Sequence, residues 1–361
     1  MKIFGILLGS TVASSIGADC PCGLTGLSCM DLVEGLVDTA NTLSNSCYGI
    51  GADECKAVDG EALCVCKCGW KGDFCEERVE PISWNFSVAI GLPAALLIAF
   101  VLYFIHREKK TKSSDWDIPS ANCVTGGVST NLSIVLVYRV VLALFGWCLL
   151  IYILIVAGNA NPLKFFTIWN WALLTAYFSV GAYLSAKATF RGTSDAKRLT
   201  VLERIFWVMM EVELTSTFLV LVVFWLVLVP SIKGLDYNPV TFDSLMMHAL
   251  NTLLMIIDFL LMKLPVKHAH FIYIASWASL YALFHGLLMV ALYARGEDHC
   301  PSYGFLSVAE PTLLVWVCGL LVGYYLFFML TFGFSKILTK VEDAVEDVLA
   351  LKIEEMTPSQ G

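Results

Sequence analysis

The chain has 361 residues, 58% of them hydrophobic and only 15% charged, with a mean hydropathy of +0.73. That balance excludes an ordinary soluble domain and reads as a polytopic membrane protein. The formal charge of -8 comes from acids gathered in the N-terminal region and the C-terminal tail and is a poor guide to partners, and nucleic acid is not implied.

Residues 1–18 begin Met1-Lys2, continue in an apolar run from Ile3 to Leu8 and turn to small residues before Ala18, the pattern of a secretory signal peptide. Residues 19–80 are polar and hold nine of the 13 cysteines: Cys20, Cys22, Cys29, Cys47, Cys55, Cys64, Cys66, Cys68 and Cys75. This density belongs to an oxidising compartment and compensates for a segment too short to bury an adequate core. The stretch from Cys64 to Cys75 has Cys64-x-Cys66, then Gly69-Trp70-x-Gly72 and Cys75, with glycines that permit the tight turns of a short hairpin. It resembles the C-terminal half of an EGF-like module, and that resemblance implies a Cys66–Cys75 disulfide. Spacing leaves the other pairings open. Nine cysteines leave one over, and Cys300, placed on the same side by the topology below, is a candidate mate. The module is expected to bind an extracellular protein ligand or to act as a spacer.

Seven apolar segments follow, at about 86–105, 133–156, 165–186, 205–229, 245–262, 271–292 and 312–332, each of the length a bilayer requires. The expected fold is therefore all-α and polytopic: seven transmembrane helices and a small disulfide-rich extracellular module. The segment at 86–105 is a tether, 106–130 a polar cytoplasmic linker, 131–334 a six-helix body and 335–361 an amphipathic tail. Arg107, Lys109, Lys110 and Lys112 follow the first segment, Lys187, Arg191, Lys197, Arg198 and Arg204 lie after the third, and Lys263 and Lys267 after the fifth. The positive-inside rule then puts the N-terminus outside or in the lumen and the C-terminus in the cytoplasm, in the plasma membrane or another membrane of the secretory pathway. Asn85-Phe86-Ser87 is a sequon on the outer side, which makes Asn85 a glycosylation candidate close to the bilayer.

Polar residues inside apolar segments fall into two groups. Arg139, Glu211, Glu213 and Asp258 map to the inner half, where opposite charges are expected to pair because an isolated charge in hydrocarbon is costly. Thr167, His248 and His285 map to the outer half. A threonine hydroxyl becomes a nucleophile when a neutral imidazole takes its proton, so Thr167 and His248 are candidates for nucleophile and general base. Asn251, one turn after His248, is a candidate to orient it or to donate to an oxyanion, and His285 is a third, supporting residue. Two histidines without a carboxylate or thiol at their depth make a poor zinc site, so no metal and no cofactor are expected.

The stretch from about Asn131 to Phe334 resembles the androgen-induced protein family and its rolling stone relatives, six-span integral membrane proteins. The resemblance rests on Lys164-Phe165-Phe166-Thr167, Val223-Phe224-Trp225, Met247-His248, and His285 followed by Tyr293. Asn251 and Asp258 are closer to the rolling stone branch. In the androgen-induced branch the matched threonine and histidine are the catalytic pair of a hydrolase that cleaves fatty acid esters of hydroxy fatty acids. The resemblance thus implies a membrane lipid ester as substrate, Thr167 as nucleophile and His248 as base. The competing expectation is a non-enzymatic adhesion, fusion or receptor-like surface protein acting through the EGF-like module.

Overall fold

The computed structural model describes residues 52–58, 61–66, 70–71, 77–78, 82–110, 131–157, 162–192, 199–231, 240–262, 264–294 and 303–356. The expected signal peptide lies outside the described residues, as do Cys20, Cys22, Cys29, Cys47, Cys68, Cys75 and Cys300. Strands β1 (Ala52–Val58) and β2 (Glu61–Cys66) pair antiparallel, placing Cys55 opposite Cys64 and Ala52 opposite Cys66. A second antiparallel pair, β3 (Trp70–Lys71) and β4 (Glu77–Arg78), flanks the stretch that holds Gly72 and Cys75.

The rest of the described chain is helical: α1 (Leu92–Lys110), α2 (Leu132–Ala157), α3 (Phe166–Arg191), α4 (Val201–Val222), α5 (Asn251–Met262), α6 (Phe271–Ala294) and α7 (Leu313–Met356). Three π-helical turns extend them: Ser87–Gly91 before α1, Val223–Leu228 after α4 and Met246–Leu250 before α5. Helices suit hydrocarbon because every backbone donor and acceptor is satisfied within the segment. Six stretches are long and apolar enough to cross a bilayer: Ser83–His106, Leu132–Val156, Val201–Leu228, Phe242–Met262, His268–Leu292 and Leu313–Val341. This defines an integral membrane protein whose membrane part is all-helical.

The third of the seven expected segments is not among these six. It forms α3, which has the length at 26 residues, but Thr167, Asn170, Thr175, Ser179 and Ser185 lower its hydropathy. Its polar Asn170, Thr175 and Ser185 are buried together with Trp171, Tyr177 and Phe178, so the helix turns its polar groups toward protein. The expected tail helix is a continuation of the last span, because α7 runs 44 residues without interruption.

The chain divides into two compact units, residues 1–94 with 282–317 and residues 95–281 with 318–361. In the first, Gly286 on α6 lies so close to the Ala89 carbonyl that a Cβ there would collide with it. The same unit corrects the glycosylation expectation. Asn85 is fully buried, and its side-chain amide donates to the carbonyls of Val308 and Glu310 at 2.8 Å each. The nitrogen a glycan would need is enclosed and already engaged.

The second unit has a continuous core that includes Trp171, Tyr177, Phe206, Trp207, Met255 and Phe328. Its helices approach closely where residues are small: a Cβ on Gly146 of α2 would meet Thr175 Oγ1 of α3 at 2.6 Å, and one on Gly181 would meet the Phe206 ring at 2.8 Å. Meanwhile Ile134, Val137, Val141 and Leu144 form an exposed stripe down α2, as expected of a face turned to lipid. Helix α4 opens with a reciprocal cap, Thr200 Oγ1 accepting from the Glu203 amide and Glu203 Oε2 from the Thr200 amide at 2.7 Å.

Candidate active site

Thr167 is the second residue of α3 and His248 lies within the π-helical turn before α5. The fold brings them together: Thr167 Oγ1 is 3.3 Å from His248 Nε2. The other ring nitrogen fixes the tautomer. His248 Nδ1 is 2.8 Å from the Ser244 carbonyl, which can only accept, so Nδ1 carries the proton and donates. Nε2 is then left as the acceptor for the threonine hydroxyl. A hydroxyl, an imidazole and a backbone carbonyl that orients the ring stand in the order that activates a nucleophile.

Three further contacts hold the imidazole. The Phe224 ring stacks on it with centroids 3.6 Å apart and planes 12° from parallel. Trp225 Nε1 donates to the His248 carbonyl at 3.1 Å. The Ser244 hydroxyl, 3.4 Å from Nδ1, lies beside the carbonyl that fixes it. Phe224 and Trp225 sit in one π-helical turn and His248 in another, so two widened turns meet at the histidine. A π turn carries one residue more per hydrogen-bonded ring than an α turn and is common at functional positions.

Asn251 does not reach the histidine. Its amide nitrogen donates to the Met247 carbonyl at 2.8 Å and its oxygen accepts from the Thr252 amide at 2.8 Å, so it secures the backbone where the π turn becomes α5. The expectation that it orients His248 or serves an oxyanion is corrected. His285 belongs to the first compact unit, where its ring centroid lies 6.5 Å from that of Tyr303.

The four charges expected at the opposite end of the bundle separate into three environments. Arg139 and Asp258 form a buried bidentate pair, Nε to Oδ1 at 3.0 Å and Nη2 to Oδ2 at 3.2 Å. Arg139 Nη1 also donates to Ser185 Oγ at 2.8 Å, and the Tyr177 hydroxyl donates to Asp258. Glu211 binds the connection into α6, accepting from the Lys267 amide at 2.8 Å and pairing with His270 Nδ1 at 2.7 Å. Glu213 is fully buried on α4, with no hydrogen-bond partner for either carboxyl oxygen among the described residues.

Sequence reasoning did not single out Ser244, and it named Phe224 and Trp225 only as points of resemblance, without a place in the site. For Ser244 a signal existed, since it lies four residues before His248 and helical neighbours at that spacing share a face. Comparison of the chain with protein-family models, curated proteins and solved structures finds no match.

Proposed function

We propose that this protein is a membrane-embedded hydrolase of lipid esters, with Thr167 as nucleophile and His248 as general base. The observation that carries the reading is the 3.3 Å approach of the threonine hydroxyl to an imidazole nitrogen whose partner nitrogen is tied to a backbone carbonyl. In this mechanism Nε2 takes the hydroxyl proton as Oγ1 attacks the ester carbonyl. The protonated imidazole then gives the proton to the departing alkoxide, which leaves as the alcohol, while the acyl group stays on Oγ1 as an acyl-threonine. Water, deprotonated by the same nitrogen, attacks the acyl group and releases the acid and the free hydroxyl. The first turn of α3, whose amide dipoles converge near Thr167, favours the negative charge of the tetrahedral intermediate.

The reading also takes the chain as a relative of the androgen-induced and rolling stone proteins, with fatty acid esters of hydroxy fatty acids as the substrate class. It makes α3 the seventh span and places residues 19–80 outside as an EGF-like module. The length of α3, sufficient to cross hydrocarbon, and the paired strands between 52 and 78 support those two assignments.

The test is hydrolysis of such an ester by the purified full-length protein in lipid vesicles. Wild type is expected to turn over, and Thr167→Ala and His248→Ala, with folding verified by thermal unfolding, are expected to be inactive. Undiminished activity in either folded variant would overturn the mechanism.

A further inference from the structure

The ion-pair network accounts for Arg139, Asp258 and Glu211, and it leaves Glu213 aside. This carboxyl is fully buried in the second compact unit, and no hydrogen-bond donor among the described residues reaches either oxygen. Helical spacing puts it one turn from Ser216 on the face that α4 turns to α7, where the Ser216 and Tyr324 hydroxyls are hydrogen-bonded to each other. Phe218 stacks on Phe327 along the same contact, with centroids 6.2 Å apart. Thr215 Oγ1, also buried, has no hydrogen-bond partner among the described residues.

The ionisable groups on neighbouring elements do not answer its charge. Tyr177 on α3 and Asp258 on α5 are committed to the Arg139 network, His248 to Thr167 and Ser244, and Glu211 to His270. On α7 the facing titratable group is Tyr324, a phenol that is neutral at ordinary pH. No three metal-ligating side chains gather here among the described residues, so the surroundings do not suit a divalent cation. An anionic carboxylate at this position would be a buried charge without compensation, the arrangement proteins avoid most strongly. A proton removes the charge and gives the group a donor for a neighbouring oxygen.

We propose that Glu213 is a proton-binding site, its carboxyl carried as the neutral acid against the Ser216–Tyr324 hydroxyl pair where α4 meets α7. The site is separate from the Thr167–His248 pair and does not depend on the hydrolase reading. Its consequence is a coupling: the proton can leave only when the α4–α7 contact opens to water, so release and helix separation go together.

Two measurements on full-length protein in phosphatidylcholine vesicles test this at neutral pH. The first is the infrared difference between wild type and Glu213→Gln. The expected result is loss of one neutral carboxylic acid carbonyl band that shifts in heavy water; loss of a carboxylate band would overturn the proposal. The second uses wild type alone, so it stands if the variant fails to fold. Dicyclohexylcarbodiimide, an apolar reagent, takes the acid proton on nitrogen, bonds the carboxyl oxygen at its central carbon and rearranges to a stable N-acylurea with no atom lost. Peptide mass spectrometry is expected to find the intact reagent added at Glu213, with labelling unchanged by sodium. An unmodified Glu213, or protection by sodium at constant pH, would overturn the assignment, the latter in favour of a cation.

Discussion

At the scale of single residues, the proposed chemistry depends on one proton moving over one short distance. Replacing Thr167 by alanine removes the oxygen proposed to attack, and a loss of about 10³-fold or more in kcat is expected, measured as ester turnover. Thr167→Ser keeps the oxygen and should keep measurable turnover. Trp225→Phe retains an aromatic ring and deletes the donor to the His248 carbonyl. One neutral hydrogen bond contributes about 1 kcal/mol, so kcat is expected to fall by roughly fivefold with KM unchanged. Thr167 and His248 were legible in the sequence because a hydroxyl and an imidazole near the ends of apolar segments stand out by polarity alone. Phe224 was not, since a phenylalanine in an apolar run carries no sign that its face covers an imidazole. Ser244 acts through its carbonyl, a group every residue has, and only its offset of four from His248 marked it.

At the scale of elements, α3 and the segment leading through α5 are locked at two levels. Thr167 meets His248 at one level, and Tyr177 meets Asp258 at the other; both pairs are separated by 81 residues in sequence. The two helical segments therefore run in the same direction and in step, with about 15 Å between the levels at 1.5 Å per residue. The network around Arg139 fixes this step, since it joins α2, α3 and α5 through Ser185, Asp258 and Tyr177. Asp258→Ala leaves a buried guanidinium without its partner, and a loss of about 3–5 kcal/mol is expected in thermal or denaturant unfolding. Ester turnover should fall along with stability, although Asp258 lies far from the reacting atoms. The Arg139–Asp258 pair could be expected from sequence because opposite charges in hydrocarbon seek each other. The Glu211–His270 pair could not, because His270 sits in a short 3-10 turn outside the apolar pattern, and only the folded connection carries it to α4. The π turns were equally hidden: they conserve composition and alter only the hydrogen-bond offset.

At the scale of the molecule, the apolar pattern of the sequence located the helices, and one of them stands apart from the rest. Six satisfy length and apolarity, whereas α3 spends its surface on contacts within the bundle. Such a helix is described poorly by hydropathy because burial among protein side chains tolerates Asn170 and Thr175 where lipid would not. Removing residues 19–80 while keeping residues 1–18 separates enzyme from adhesion protein: turnover of a lipid ester is expected to persist. Loss of all turnover in the folded deletion variant would favour the module as the working part. In the smaller unit, Gly286→Ala sets a methyl against the Ala89 carbonyl, and a destabilisation of about 1–3 kcal/mol is expected in thermal unfolding.

The shared offset of 81 residues makes the bundle intolerant of a change in length that substitution scans would overlook. One alanine inserted between Leu173 and Leu174 preserves every side chain, yet it swings the Thr167 end by about 100° around the axis of α3 relative to Tyr177. The hydroxyl then leaves the imidazole while the lower bridge stays closed. A protein that folds and reaches the membrane but no longer turns over ester is the expected phenotype of that single added residue.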